Sequence, residues 1–352
     1  MKNIYSIVIL ISFLLLSFVG KAQETTVLLD KNYPVSKSTS LDLNNQFGNI
    51  TVSTWSKQEF SINVELVLTG LSEKEAQKIR EKVQIEESAK SDIVAIKTLF
   101  KKGSINMNGS GKKFEINYEV KIPDNHSLKI KNSFGNFAIQ DYNGPIDLHV
   151  EYGNLSMGKI REIMLKLAFG NGDVQSIEGG NVIIEYADRF NLQNAGDIEL
   201  KSSFSKVDIN TAKNIALDGK YGDLKIGRID VLRGKSEFSG VQIKQLNKTL
   251  DLKASYVSGN LEVDNISKDF EEIILKTEFS GVTLNFESGI MVQVHVTTSF
   301  GDFIYPESKS TFNTRIEKDF EKEFKGTVGE GSSSKGRVAI HTTYGNAKIK
   351  IN

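Results

Sequence analysis

The side chains of this chain that could do chemistry are few and scattered. Its four histidines are His126, His149, His295 and His341, and no two stand at a His-x-x-x-His spacing that would clamp zinc. No Gly-x-Ser-x-Gly elbow presents a nucleophilic serine. There is no cysteine, which excludes disulfides, thiolate metal sites, a cysteine nucleophile and lipid attachment at cysteine. Asp208, Asp230, Asp251 and Asp264 are the acids a polysaccharide-cleaving enzyme would draw on. Their placement does not force any pair to the separation of roughly 5–9 Å that glycoside hydrolysis needs. His295 and His341 fall at outward positions of alternating segments, so they are expected to be exposed strand residues. We therefore expect no catalytic, cofactor-binding or metal-binding residue.

One set of polar residues does recur. Asn136, Asn154, Asn171, Asp223 and Asp302 each follow a glycine that itself follows an aromatic. Two chemistries suit such a row: stacked amides that satisfy one another's hydrogen bonds, or oxygens at turns that cage calcium. The Gly-Gly-x-Gly-x-Asp nonapeptide of calcium-binding repeats is absent.

The elements that must position this row are written most clearly in Ile198–Ile226, where one pattern occurs twice. Ile198, Leu200, Ser202, Phe204, Ser205, Val207 and Ile209 are followed by Ile215, Leu217, Gly219, Tyr221, Gly222, Leu224 and Ile226. The aromatics of the pattern are Phe134, Tyr152, Phe169, Tyr186, Phe204, Tyr221, Phe238, Tyr256, Phe279, Phe300 and Tyr344. The first eight are spaced by 18, 17, 17, 18, 17, 17 and 18 residues. A fixed short period means stacked units, none of which buries its apolar face alone.

Apolar positions before and after the aromatic have opposite parity, so a straight strand would not bury both. A corner is required, and Gly135, Gly153, Gly170, Gly222 and Gly301 are the residues expected to take positive φ there. The aromatic shares parity with the apolar residues before it, so Phe204 is expected in the core, where truncation to alanine would cost about 3–5 kcal/mol. Phe and Tyr alternate through the first eight aromatics. Phe favours full burial and Tyr an outlet for its hydroxyl. The unit is then either a 17–18-residue coil or a 35-residue double coil. The fold class is mainly β: a parallel β-helix, or β-solenoid, spanning 126–352.

The first 125 residues read differently. Met1–Ala22 has the form of a secretory signal peptide: Lys2, an apolar run over Ile4–Val19, then Gly20-Lys21-Ala22 before Gln23. No second apolar run approaches the roughly 20 residues of a membrane span, so no span is expected in the mature chain. Residues 23–125 read as an α+β capping region. Strands are expected at Val27–Leu29, Leu41–Thr54, Phe60–Leu68, Asp92–Phe100 and Lys113–Ile122, with Lys101–Lys112 as a loop. Leu41–Thr54 carries the repeat pattern around Phe47-Gly48. One helix is expected near 72–86, with Ser72 and Glu75 as a capping box and Ala76, Ile79 and Val83 on one face. Toward the other end, the charged stretch Arg315–Lys325 and the Gly/Ser-rich Gly326–Gly336 read as a surface loop, 315–336. Val338–Ile349 supplies the last unit.

Lys+Arg and Asp+Glu both number 44, so no net charge draws the chain to nucleic acid or membrane. Exposed Ser156, Lys159 and Arg161 show no basic–aromatic interleaving for nucleic acid.

The Gly-Asn/Asp-aliphatic units carry a resemblance: Gly48-Asn49-Ile50, Gly135-Asn136-Phe137, Gly153-Asn154-Leu155, Gly222-Asp223-Leu224 and Gly345-Asn346-Ala347. With the leader and the early helix, they resemble the exported putative-adhesin families of Gram-negative bacteria, including the head-GIN auto-transporter-adhesin-like domain, over most of Leu41–Asn352. The resemblance implies a β-helix-like body and carries over no catalytic residue. The charged insertion near Glu317–Lys325 departs from it. The expected function is a non-enzymatic, exported adhesin-like or envelope scaffold, in the periplasm or at the cell surface. It would bind a glycan or an envelope protein through its strand faces. The alternative is a polysaccharide-acting β-helix enzyme, lyase or hydrolase.

Overall fold

The structure, a computed structural model, describes residues 23–90, 92–102, 111–257 and 259–352. The expected leader, Met1–Ala22, and most of the expected loop, 103–110, lie outside the described residues. In chain order the elements begin with β1 (Gln23–Pro34), β2 (Ser40–Gln46), β3 (Ile50–Thr54), β4 (Glu59–Thr69), helix α1 (Glu73–Arg80), β5 (Val83–Lys90), β6 (Ile93–Phe100) and β7 (Lys113–Ile122). There follow β8 (Leu128–Ser133), β9 (Phe137–Ile139), β10 (Tyr142–Glu151), β11 (Leu155–Ala168), β12 (Gly172–Glu185), β13 (Phe190–Ser203), β14 (Lys206–Lys220), β15 (Asp223–Glu237) and β16 (Gly240–Ser255). The chain ends with β17 (Asn260–Ile266), β18 (Glu272–Glu278), β19 (Gly281–Phe286), β20 (Ile290–Ser299), β21 (Phe303–Ile304), β22 (Ser310–Glu317), β23 (Glu321–Gly329), β24 (Ser332–Thr343) and β25 (Ala347–Ile351). The protein is mainly β, with a long run of parallel strands in one sheet.

Each strand from β11 to β16 pairs in parallel with the next, and the register advances by 17 or 18 residues: Ile163, Gly180, Ile198, Ile215, Leu232 and Leu250 lie side by side. One strand-and-corner passage therefore separates neighbours, not two, which removes the basis for a 35-residue double coil. Apolar residues on both sides of the corner are buried as the parity argument requires: Ile198, Leu200, Val207 and Ile209 are all at most 4% exposed.

Antiparallel strands finish both ends of the parallel run. At one end β3 pairs in parallel with β7, and β7, β4 and β1 then pair antiparallel. Beside them β2 pairs in parallel with β6, and β6 antiparallel with β5. Because β2 and β3 cover β8 and β9, deleting residues 23–123 bares two strand edges. Size-exclusion chromatography of that deletion is expected to show aggregates; a soluble monomer would contradict this.

Three expected elements differ. The helix is Glu73–Arg80, not 72–86, and Val83 opens a strand. Ala76, Ile79 and Val83 are indeed all buried, but Val83 gets there by pairing opposite Phe100. The Glu75 carboxylate accepts from the Ser72 N–H (2.9 Å) and hydroxyl (2.8 Å), and Lys112 and these bonds lower its pKa to about 2. The expected loop 315–336 is largely strand: β22 and β23 form an antiparallel hairpin, and β23 pairs with β20. Its charges face out while Phe324 and Val328 are buried, Phe324 against Phe303, Tyr305 and Phe312 in an aromatic cluster. Finally, β24 and β25 are last in sequence but not in space: β24 inserts between β18 and β20, and β25 between β19 and β21. The spacings of 21 and 44 residues record this change in strand order, whereas the spacing of 23 joins strands that still pair directly, β16 with β18. Among the described residues no helix is long and apolar enough to cross a membrane.

Candidate binding faces and the aromatic corner

The corner is built by the aromatics, not the glycines. Twelve residues, Phe47 and the eleven that carry the period, have φ between +48° and +62°. They are the only non-glycine residues with positive φ among those described. This left-handed conformation costs an L-residue roughly 1–2 kcal/mol. It also reverses the side on which the side chain emerges, so every one of the twelve rings lies outside the core, 36–51% exposed. The expectation that Phe204 is a core residue is thus overturned: it is 49% exposed. Phe and Tyr positions do not differ, with Phe238 45% and Tyr256 46% exposed.

In-register strands sit about 4.8 Å apart, and side chains at equivalent corners repeat at that distance. The rings accordingly stack, with centroids 4.7–5.2 Å apart and planes within 14° of parallel, from Phe47 through Phe279 to Tyr344 and Phe300. Each contact is worth about 0.5–1.5 kcal/mol, which offsets much of the cost of one residue's left-handed backbone. Phe100 and Phe114 cover one end of the stack and Phe320 the other. Ring faces are therefore occupied throughout, and the ladder shows solvent only ring edges. Sugar rings stack on aromatic faces, so this ladder does not offer them that surface.

Phe204→Ala is then expected to cost about 1–3 kcal/mol through its two stacking contacts, rather than the 3–5 of a core aromatic. Phe204→Gly discriminates further. At φ +50° glycine carries no steric penalty, so it should be no less stable than the alanine variant, the reverse of the usual order in a strand. Thermal midpoints of the two variants test this; an alanine variant clearly more stable than the glycine one would contradict the corner geometry.

The glycines after the aromatics serve close approach instead. A Cβ on Gly135 would lie 1.9 Å from the Gly48 carbonyl oxygen, and one on Gly153 or Gly170 would lie 1.9 Å from the oxygen of the glycine beneath. The asparagines that follow form the expected row, but they bond to backbone rather than to one another. Asn49 Oδ1 accepts the Asn136 N–H (3.0 Å), Asn136 Oδ1 the Asn154 N–H (2.9 Å), and Asn154 Oδ1 the Asn171 N–H (3.0 Å). Where serine replaces glycine, a second chemistry takes over. Ser205 Oγ accepts the Ala187 N–H (3.0 Å) and Ser239 Oγ the Gly222 N–H (3.1 Å). Sequence reading placed Ser205 at the corner but missed this bond, whose signal is Ser205, Ser239 and Ser280 at the glycine position.

The titratable residues are not gathered into one centre. Asp208 lies beside Lys225 in register, Asp230 accepts from Asn247 Nδ2 (2.7 Å), and Asp251 sits between Arg233 and Ile274. His126 is buried against the Thr39 carbonyl (2.7 Å) and the Phe60 ring. His295 and His341 are exposed on neighbouring strands, as expected. His295 meets Glu323 (3.1 Å) and His341 the Thr297 hydroxyl (2.7 Å). Among the described residues no three His, Asp or Glu side chains group as metal ligands would. The concave features are clefts on strand faces. One near Asn191, Asp208 and Lys225 holds about 240 Å³, and a larger one by His295, Lys325 and Arg337 about 620 Å³.

No family model matches the chain, and no curated protein matches it. Among solved structures it is similar to a "putative adhesin" from Bacteroides fragilis NCTC 9343, at 12% identity over 95% of this chain and 98% of that one, with a TM-score of 0.27. It is similar also to a "putative adhesin" from Parabacteroides merdae ATCC 43184, at 11% identity over 94% and 97%, with a TM-score of 0.29. A third is a "Putative lipid binding protein" from Parabacteroides distasonis ATCC 8503, at 8% identity over 94% and 97%, with a TM-score of 0.25.

Proposed function

We propose that this chain is a non-catalytic, exported, adhesin-like scaffold that binds a glycan of the cell envelope through an outward strand face. Its body is a parallel β-solenoid of 17–18-residue coils, and the antiparallel strands at each end act as caps. The observation that carries the reading is the register. In-register parallel pairing from β8 through β16 to β18, β24 and β20 sets outward side chains in straight rows. Such rows suit a long, regular ligand better than a small substrate, which needs an enclosed site. A rigid sheet also holds binding groups without an ordering cost when the ligand arrives.

The test is a screen of the purified chain against neutral and acidic glycans, alongside attachment of cells lacking the protein. Retention by a glycan class with reduced attachment is expected. No retention, with attachment and envelope integrity unchanged, would overturn the reading; capture of an envelope protein with no glycan bound would replace the ligand class.

A further inference from the structure

One outward row is basic, although its members are far apart in sequence. Following the register from strand to strand, it runs Lys97, Asn44, Lys131, His149, Lys166, Ile183, Lys201, Asp218, Lys235, Lys253, Lys276, His341 and Thr297. Lys166 and Lys235 are ion-paired to Glu185, Asp218 and Glu237. Among the described residues, Lys131, Lys201, Lys253 and Lys276 make no ion pair within 4 Å. With strands about 4.8 Å apart, Lys235, Lys253 and Lys276 stand on successive strands, each within the Debye length of about 8 Å of the next, so their potentials add, while Lys201 and Lys131 stand further along the row. Partial burial, and then the neighbouring Lys131 and Lys166, lower the pKa of His149 in this row.

The same face continues into the cleft of about 620 Å³ formed by β18, β24, β20, β23 and β22. Two registers cross it: Glu272–Arg337–Gln293–Thr327 and Ile274–Ala339–His295–Lys325. Small Ala339 and Gly326 make the hollow, and a bulge between Phe312 and Thr314 places Asn313 on its lining. Arg337, Lys325 and His295 line it, and no carboxylate does. Glu272 and Glu323 stand outside the lining and hold the cations in place: Glu272 accepts from Arg337 Nε (2.7 Å), and Glu323 pairs with Lys325 (2.7 Å). Three smaller grooves, near Asp208, Asp197 and Asp223, each include a carboxylate.

We propose that this basic row and the cleft at its end bind a linear acidic polysaccharide carrying about one carboxylate per sugar. The inference rests on the glycan reading above and narrows it to one face and one ligand class. Charge spacing selects against nucleic acid. Duplex DNA carries one charge per 1.7 Å or so, whereas this row offers at most one cation per strand, about 4.8 Å. Carboxylates also flank it, among them Glu151, Glu185, Glu199, Glu237 and Glu278, in the adjacent registers. Those acids repel a dense polyanion and leave room for one whose charges are spaced by neutral hydroxyl-bearing atoms. In the cleft, the Gln293, Asn313 and Thr327 side chains supply donors and acceptors for such hydroxyls.

The probe is an oligogalacturonate, compared with a neutral maltodextrin and a DNA duplex at low ionic strength. Three variants of the full chain are needed: K253Q/K276Q on the row, K325Q/R337Q in the cleft, and K225Q/K244Q on a different face as the charge-matched control. Oligogalacturonate is expected to bind the wild type and weaken with salt. The row and cleft variants should each weaken it about tenfold, and the control less than about twofold. Maltodextrin should not compete. Loss shared equally by the control, DNA binding as tight with the same variant pattern, or no oligogalacturonate binding would overturn the proposal. If neutral glycans alone bind in the screen, this inference fails while the broader reading stands; if none binds and attachment is unchanged, both fail.

Discussion

Replacing Gly153 by alanine is expected to cost more than about 3 kcal/mol, although only one methyl group is added. The added Cβ would sit 1.9 Å from the Gly135 oxygen and 2.6 Å from its carbon. Those are backbone atoms, and Gly135 is packed on Gly48 in the same way, so no side chain can swing aside. The only relief is to spread the neighbouring strands at the corner, which breaks the Asn136–Asn154 bond and unstacks the Phe134 and Tyr152 rings. Gly219 is the control. A Cβ there meets nothing closer than 3.6 Å, and its neighbours in register are Ser202 and Ser236. Gly219→Ala should be neutral or stabilising by up to about 1 kcal/mol, through a less flexible unfolded chain. Thermal midpoints by circular dichroism check both; similar midpoints for the two variants would refute the close-packed corner.

The second large effect concerns the aromatic that is in the core. Phe190 is 0% exposed, between Gly172 and Val207 in register. Its ring fills the space over Gly172, whose Cβ would come within 2.5 Å of it. Large and small residues thus interlock on adjacent strands. Phe190→Ala is expected to cost about 3–5 kcal/mol, toward the upper end, because glycine has no side chain to relax into the cavity. Gly172→Ala should destabilise the native chain yet recover about 1 kcal/mol in the Phe190→Ala background, since the two sites share one volume. Denaturant titration of the four chains measures the coupling. Additive effects would mean that the pair does not share a cavity.

These two cases show where sequence reading reached its limit. The parity of Ile198, Leu200, Val207 and Ile209 correctly required a corner between two buried segments. Parity alone did not say which residue turns. Assigning the turn to glycine left Phe204 on the inward side, whereas left-handed backbone at Phe204 sends it outward. Phe190 lies off the period and gave no comparable signal. The hairpin at 310–329 was obscured because outward charges dominate its composition while two side chains, Phe324 and Val328, anchor it.

What the sequence by itself determined is local and periodic. Its 17–18-residue spacing, the apolar positions around each aromatic and the row of corner asparagines are set by residues close together in the chain, so the pattern is legible without coordinates. The tertiary structure decided what depends on strand order and side-chain facing. It set Tyr344 between Phe279 and Phe300, and it aligned Lys131, Lys201, Lys253 and Lys276 on one outward row. Those lysines lie far apart in the chain, although each stands three residues before a repeat aromatic: Phe134, Phe204, Tyr256 and Phe279. They meet because parallel strands pair in register, and register is a property of the packed sheet rather than of any segment within it.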